Sequence, residues 1–172
     1  GDTITGVITE SKSGRQAILA KRVIDATGDA DLAFHAGVPY RMDTKNKLEG
    51  VSVNFGCSGV NIDKFLNYTL TKPSSITDWG NESGEKEAEE FSTYLVEPFE
   101  KAKEAGEIPK NVRMESYWGD FNDAGEIPTL NAIHMANCDP TDVKDLTRAE
   151  MEGRQQGMWA VAALKKDTPG FE

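Results

Sequence analysis

Ala20-Lys21-Arg22-Val23-Ile24-Asp25-Ala26-Thr27-Gly28-Asp29-Ala30-Asp31-Leu32-Ala33 is the stretch on which the reading of this chain turns. Val23 to Ala26 forms a short apolar run that stops at Thr27-Gly28, and a strand ending in a glycine turn is the simplest assignment. Ala26 and Gly28 carry little or no side chain, so backbone there can approach a ligand closely. Open sheets hold ligands at the carboxyl ends of their strands. Asp29 and Asp31, just past that end, are placed to accept hydrogen bonds from the hydroxyls of a sugar or sugar-alcohol chain. By spacing alone a strand ending in Gly-Asp is common, and a plain surface turn satisfies the same pattern.

Working outward, the residues before this stretch read as a hairpin. Ile4, Val7 and Ile8 lie in one β-prone run and Ala17, Ile18 and Leu19 in a second, with Ser11-Lys12-Ser13-Gly14 as the turn. The second run is expected to continue into Val23–Ala26. After the glycine turn, Asp29 to Ala36 suits two helical turns, ended by Gly37 and Pro39. Val51-Ser52-Val53-Asn54-Phe55 alternates as a half-buried strand does. Phe65 to Thr77 gives no clear periodicity. Ala88, Phe91, Leu95, Phe99 and Ala102 recur at helical spacing over about residues 85–105. Pro98 must kink that helix or restart it, and Gly106 ends it.

Val112 to Met114 with Ser116 to Trp118, and Thr129 to Met135, read as strands. The pentapeptide Ala-Gly-Glu-Ile-Pro occurs at 105–109 and 124–128, and both copies read as turns feeding those strands. The last element is a helix. Thr147-Arg148-Ala149-Glu150 fits a capping box, Met151, Met158 and Ala162 with an offset Trp159, Val161 and Leu164 supply an apolar stripe, and Pro169 ends it. The fold class is therefore α+β, a mixed or antiparallel sheet with a few helices.

Composition narrows the function. The 172 residues carry a formal net charge of −10, which excludes a general nucleic-acid binder, because phosphate contacts need clustered Lys and Arg. The acidic excess lies in Glu82–Glu107 and Asp139–Glu152, where solvated helix faces account for it more simply than a binding tail. Cys57 and Cys138 are too few and too far apart for a disulfide framework, zinc site or redox pair. No apolar run approaches the roughly 20 residues of a membrane span.

Asp120-Phe121-Asn122-Asp123-Ala124-Gly125 resembles a calcium loop but offers Ala124 and Asn131 where ligands are wanted. His35 and His134 lack any metal-ligand spacing, so no metal is expected. His134, near Asn131, is placed either as a structural histidine or as a group that polarises a substrate carbonyl or moves a proton. Arg154 suits a substrate carboxylate or, more plainly, an ion pair with Glu150 or Asp142. No residue stands out as a catalytic acid, base or nucleophile, so a hydrolase finds no support.

Val23-Ile24-Asp25-Ala26-Thr27-Gly28-Asp29-Ala30-Asp31-Leu32-Ala33 resembles the Ala-Thr-Gly flavin-contact motif of the glutathione-reductase-like flavoproteins, which also carry a β-hairpin ahead of it. More narrowly, the chain is similar to the bacterial FAD-dependent oxidoreductase family of that superfamily. Asp139 to Arg154 reads like that family's entry to its late helix, and Pro169-Gly170-Phe171-Glu172 like the segment after that helix. The resemblance implies FAD as cofactor, with Ala26, Thr27, Gly28 and Asp29 in its wall, and a small-molecule substrate near His134 and Arg154. It implies three parts: 1–32 from the FAD-binding domain, 33–146 an inserted substrate-side or cap domain, and 147–172 a helix returning to the FAD domain.

The family's Gly-x-Gly-x-x-Gly phosphate turn does not occur among the 172 residues. Gly1-Asp2-Thr3 has neither an initiator Met nor a signal pattern, and both ends read as internal to a longer protein. The expectation is thus the substrate-side portion of an FAD-dependent oxidoreductase, colourless and inactive alone, with an exposed apolar face or self-association. The competing reading is an acidic α+β interaction module without redox activity.

Overall fold

The computed structural model describes residues 3–44, 48, 50–71, 96–114 and 121–172. Within them the chain is α+β, with two small antiparallel sheets and four helices. It divides into two compact units, Gly1–Thr44 and Lys45–Glu172.

The first unit is built on the expected hairpin. Strands β1 (Gly6–Ser11) and β2 (Gly14–Leu19) pair antiparallel from Gly6↔Leu19 to Ser11↔Gly14. A two-residue loop joins them. Gly14 takes a φ of 89°, the left-handed residue of the return, and the Ser11 hydroxyl accepts the Ser13 N–H at 3.2 Å. A bond from Ala20 N–H to Thr5 C=O closes the ladder.

Val23 to Ala26 does not continue it. These residues are irregular and Ile24 is 87% exposed, which corrects the strand expected there. A strand is held by a neighbour's N–H and C=O groups, and no described segment pairs with this run. Helix α1 (Asp31–His35) is shorter than expected and stops before Gly37 at φ 76°. No described residue of this unit is buried.

The second unit holds the core. Strand β3 (Phe55–Cys57) pairs antiparallel with β4 (Ile127–Leu130), with a register shift between Phe55 and Cys57. Val51, read as the start of a strand, instead makes a lone bridge to Met135. Likewise the strand expected over 129–135 begins earlier, at Ile127, and gives way to irregular backbone after Leu130. The second Ala-Gly-Glu-Ile-Pro copy therefore enters β4 itself. Val112 to Met114 is irregular rather than a strand, with Met114 fully buried and the Arg113 carbonyl accepting the His134 N–H at 3.5 Å.

Helix α2 (Ile62–Thr69) starts where the Asn61 side chain accepts the Lys64 N–H. It buries Phe65 against Phe121 and Phe171, at ring separations of 5.4 and 5.3 Å. Helix α3 (Glu97–Glu104) has Pro98 in its first turn, where a missing N–H costs nothing. The proline thus opens a helix segment, and the expected stretch 85–95 lies outside the described residues. Phe99 and Ala102 are buried, and Gly106 at φ 75° ends the helix.

Helix α4 (Val143–Asp167) is longer than read from sequence and starts earlier. The Asp142 carboxylate accepts the Lys144 N–H at 2.9 Å and caps it. Thr147, read as the cap, lies one turn inside and donates its hydroxyl to the Val143 carbonyl. The expected stripe is corrected in part: Leu164 is buried and Trp159 packs on the core, but the methionines do not join them. Met151 and Met158 are 70% and 68% exposed, while Ala149, Gly153, Gly157, Ala160 and Ala163 form most of the buried face. Small residues are needed there because the helix lies close to its neighbours. A Cβ at Gly153 would collide with Val53, and one at Gly157 would touch Phe55 and Ile133.

Candidate functional site

Two places carry the residues singled out above, one in each unit. In the first, Asp25 organises the turn immediately after it. Its Oδ1 accepts both the Thr27 N–H at 3.1 Å and the Thr27 hydroxyl at 2.7 Å. Its Oδ2 accepts the Ala33 N–H at 2.9 Å. The Thr27 oxygen in turn accepts the Asp31 N–H at 2.8 Å, tying the turn to the start of α1. Hydrogen bonds from the Ala33 N–H, the Thr27 hydroxyl and the Thr27 N–H hold the Asp25 carboxyl below its ordinary value of 3.8.

Ala26, Thr27, Gly28 and Asp29 are all exposed. Gly28 sits at φ 92°, and a Cβ there would meet nothing within 4 Å. Its glycine is therefore required by backbone conformation, and the space above it is open. Thr27 has committed its hydroxyl within the turn, so what it offers a ligand is backbone. Sequence reasoning passed over Asp25. The signal was present, since Asp-x-Thr before a helix is a pattern in which the carboxylate bonds backbone two residues on.

In the second unit, the Val51–Met135 bridge, with N–H···O=C distances of 3.0 and 2.9 Å, sets Ser52 beside His134. The Ser52 Oγ and His134 Nδ1 lie 3.3 Å apart, part-buried, and the ring tautomer decides which one donates. Residues 51–53 and the first turns of α4 line a groove of about 440 Å³, with Ser52, Thr147 and Glu150 as its polar members among Val51, Leu146 and Met151. Glu150 accepts from Arg154 through Nε at 2.7 Å and Nη2 at 2.6 Å. Neither His134 nor Arg154 lines the groove. His134 is instead paired with Ser52 and Arg154 with Glu150, and Ser52 and Glu150 do line it. Asn131, which sequence set beside His134, has a buried side-chain oxygen without a hydrogen-bond partner.

The hairpin is followed by the exposed Ala-Thr-Gly turn. The family model of FAD dependent oxidoreductases matches residues 1–172. The chain belongs to the FAD-dependent oxidoreductase family. No curated protein and no solved structure matches it. Membership supports an FAD-linked redox role. The turn fits such a group, because its glycine position is uncovered and its side chains leave the backbone accessible. No described helix is long and apolar enough to cross a membrane.

Proposed function

We propose that this chain supplies part of the flavin wall and the substrate-facing region of an oxidoreductase that passes hydride between a small organic molecule and FAD. In this reading Ala26, Thr27, Gly28 and Asp29 contact the cofactor. Residues 1–32 belong to the FAD-binding side, 33–146 to the substrate side, and 147–172 return to the FAD domain. FAD, when bound, supplies the redox chemistry, and the protein supplies binding, orientation and electrostatics. The observation that carries the reading is the uncovered Gly28 at φ 92° in an Ala-Thr-Gly turn of a family member.

The side-chain duties come from the groove. Ser52 fixes the ring of His134, which holds or moves a proton at a substrate carbonyl or hydroxyl. Arg154 receives a substrate carboxylate by exchange with Glu150, which already holds its guanidinium in a paired geometry. These 172 residues contain no Gly-x-Gly-x-x-Gly turn of the kind that holds a dinucleotide pyrophosphate. The chain alone is accordingly expected to purify colourless.

The test is a titration of the isotope-labelled chain with excess FAD, monitored by amide NMR. The largest shifts are expected at residues 26–29. Shifts confined to the second unit, or none at all, would remove the cofactor assignment.

A further inference from the structure

Asp25 spends both carboxylate oxygens on the nine residues that begin with it. Its bonds to Thr27 and Ala33, with the Thr27–Asp31 bond, engage the backbone N–H groups of Thr27, Asp31 and Ala33. The N–H groups of Gly28 and Asp29, between them, have no hydrogen-bond partner among the described residues. The same bonds hold one costly backbone state beside one that glycine alone takes freely: Ala30 at φ 60° and ψ 38° occupies the left-handed region that a Cβ disfavours, and Gly28 lies at φ 92°. Such a conformation persists where surrounding bonds over-determine it, and no described residue of this unit is buried to do so by packing.

We propose that Asp25 is a positioning residue for the cofactor: it presets the Thr27–Asp29 backbone so that the free N–H groups of Gly28 and Asp29 meet a hydrogen-bond acceptor atom of the flavin. The inference rests on the FAD-contact reading above and adds a residue that acts only through the turn. Donors fixed before the ligand arrives lose no conformational freedom on binding, whereas a released Gly28 would lose more than any other residue type. The low-lying carboxyl of Asp25 keeps the latch charged, and bonds to a charged acceptor are the stronger kind.

An internal control exists in the second unit. Asp139 Oδ1 accepts the Thr141 N–H at 2.9 Å and the Thr141 hydroxyl at 2.7 Å, the same Asp-x-Thr geometry ahead of another helix.

The experiment compares FAD titrations of the labelled native chain with Asp25→Ala, Asp25→Asn, Thr27→Ser, Thr27→Val and Asp139→Ala, reading the Gly28 and Asp29 amides and the amide exchange of Thr27, Asp31 and Ala33. Asp25→Ala and Thr27→Val are expected to weaken the FAD response about tenfold or more. Thr27→Ser should restore it. Asp25→Asn should fall between, because its amide oxygen still serves Thr27 while its NH₂ cannot accept from Ala33. Asp139→Ala should leave it unchanged.

Equal FAD response in Asp25→Ala and the native chain overturns the proposal, even if exchange quickens. So does equal weakening by Asp139→Ala, which would mark a general loss of fold. A native chain whose Gly28 and Asp29 ignore FAD overturns the flavin-contact reading first, and protected Thr27 and Ala33 amides would then show the latch as local structure only.

Discussion

Asp25-Ala26-Thr27 and Asp139-Pro140-Thr141 use one local device in two settings. In each, a carboxylate oxygen accepts the N–H and the hydroxyl of a threonine two residues on, just before a helix. Beyond that they diverge. Asp139 sits against the second unit's core, where its own N–H is held at 2.9 Å by the Asp145 carboxylate and neighbouring Cys138 is fully buried. The helix after it runs 25 residues and buries one face. Asp25 leads into five helical residues with none buried, and it must reach Ala33 itself to close the turn. Where a core exists the motif is an accessory, and where none exists it carries the conformation.

The largest effect expected from this contrast lies in the cores. Leu164→Ala, at a fully buried position, should cost about 2–5 kcal/mol in urea unfolding. Leu19→Ala, at 81% exposure, should change stability by no more than about 0.5 kcal/mol. Equal losses would mean that the hairpin is covered in solution, and the contrast would collapse.

Gly153→Ala comes next. The added methyl meets Val53 and the Met135 terminal methyl, and overpacking of this kind costs about 1–3 kcal/mol. Gly28→Ala adds a methyl into open space, so its penalty should come from the positive φ alone and appear in exchange of the turn amides, without altering the second unit's unfolding midpoint.

A smaller gain is expected from Ala30→Gly, which relieves the left-handed alanine but frees the unfolded chain. The balance should favour the turn by about 0.5 kcal/mol, seen as slower exchange at Thr27 and Asp31. Faster exchange would show that the latch imposes no strain.

The smallest signal is the titration of Asp25. Its carboxyl is held below 3.8 chiefly by the Ala33 N–H and by Thr27. The latch therefore contributes fully above the unfolded value and is lost as pH falls through the folded one. The Thr27 and Ala33 amides should move together with a midpoint under pH 3.8. A midpoint at or above that value would mean the bonds do not persist in water.

The hairpin was legible because its signals are local, two β-prone runs around a glycine turn, and β1 and β2 appear almost where the runs lie. Gly106 as a helix stop was legible for the same reason, and Pro98 was legible as a break in the helical pattern, though its place in the first turn of a helix was not. Of the candidate site, the Ala-Thr-Gly turn and its positive-φ glycine could be read in the sequence. The local Asp25–Thr27 bonds were signalled by Asp-x-Thr, but the bond to Ala33 was not, because it reaches eight residues ahead. The groove was not legible. It depends on the Val51–Met135 bridge, which joins residues 84 apart, and on the early turns of α4 lying beside residues 51–53.

Sequence by itself determined the α+β class, the family, and the places where backbone must turn or stop, because those rest on short-range sterics and on residue types that few alternatives satisfy. Tertiary structure alone decided that Val23–Ala26 stays unpaired, and that α4 buries glycine and alanine while its methionines face water. Pairing needs a neighbouring strand and close packing needs a facing surface. Neither is encoded in the hydropathy of the segment that uses it.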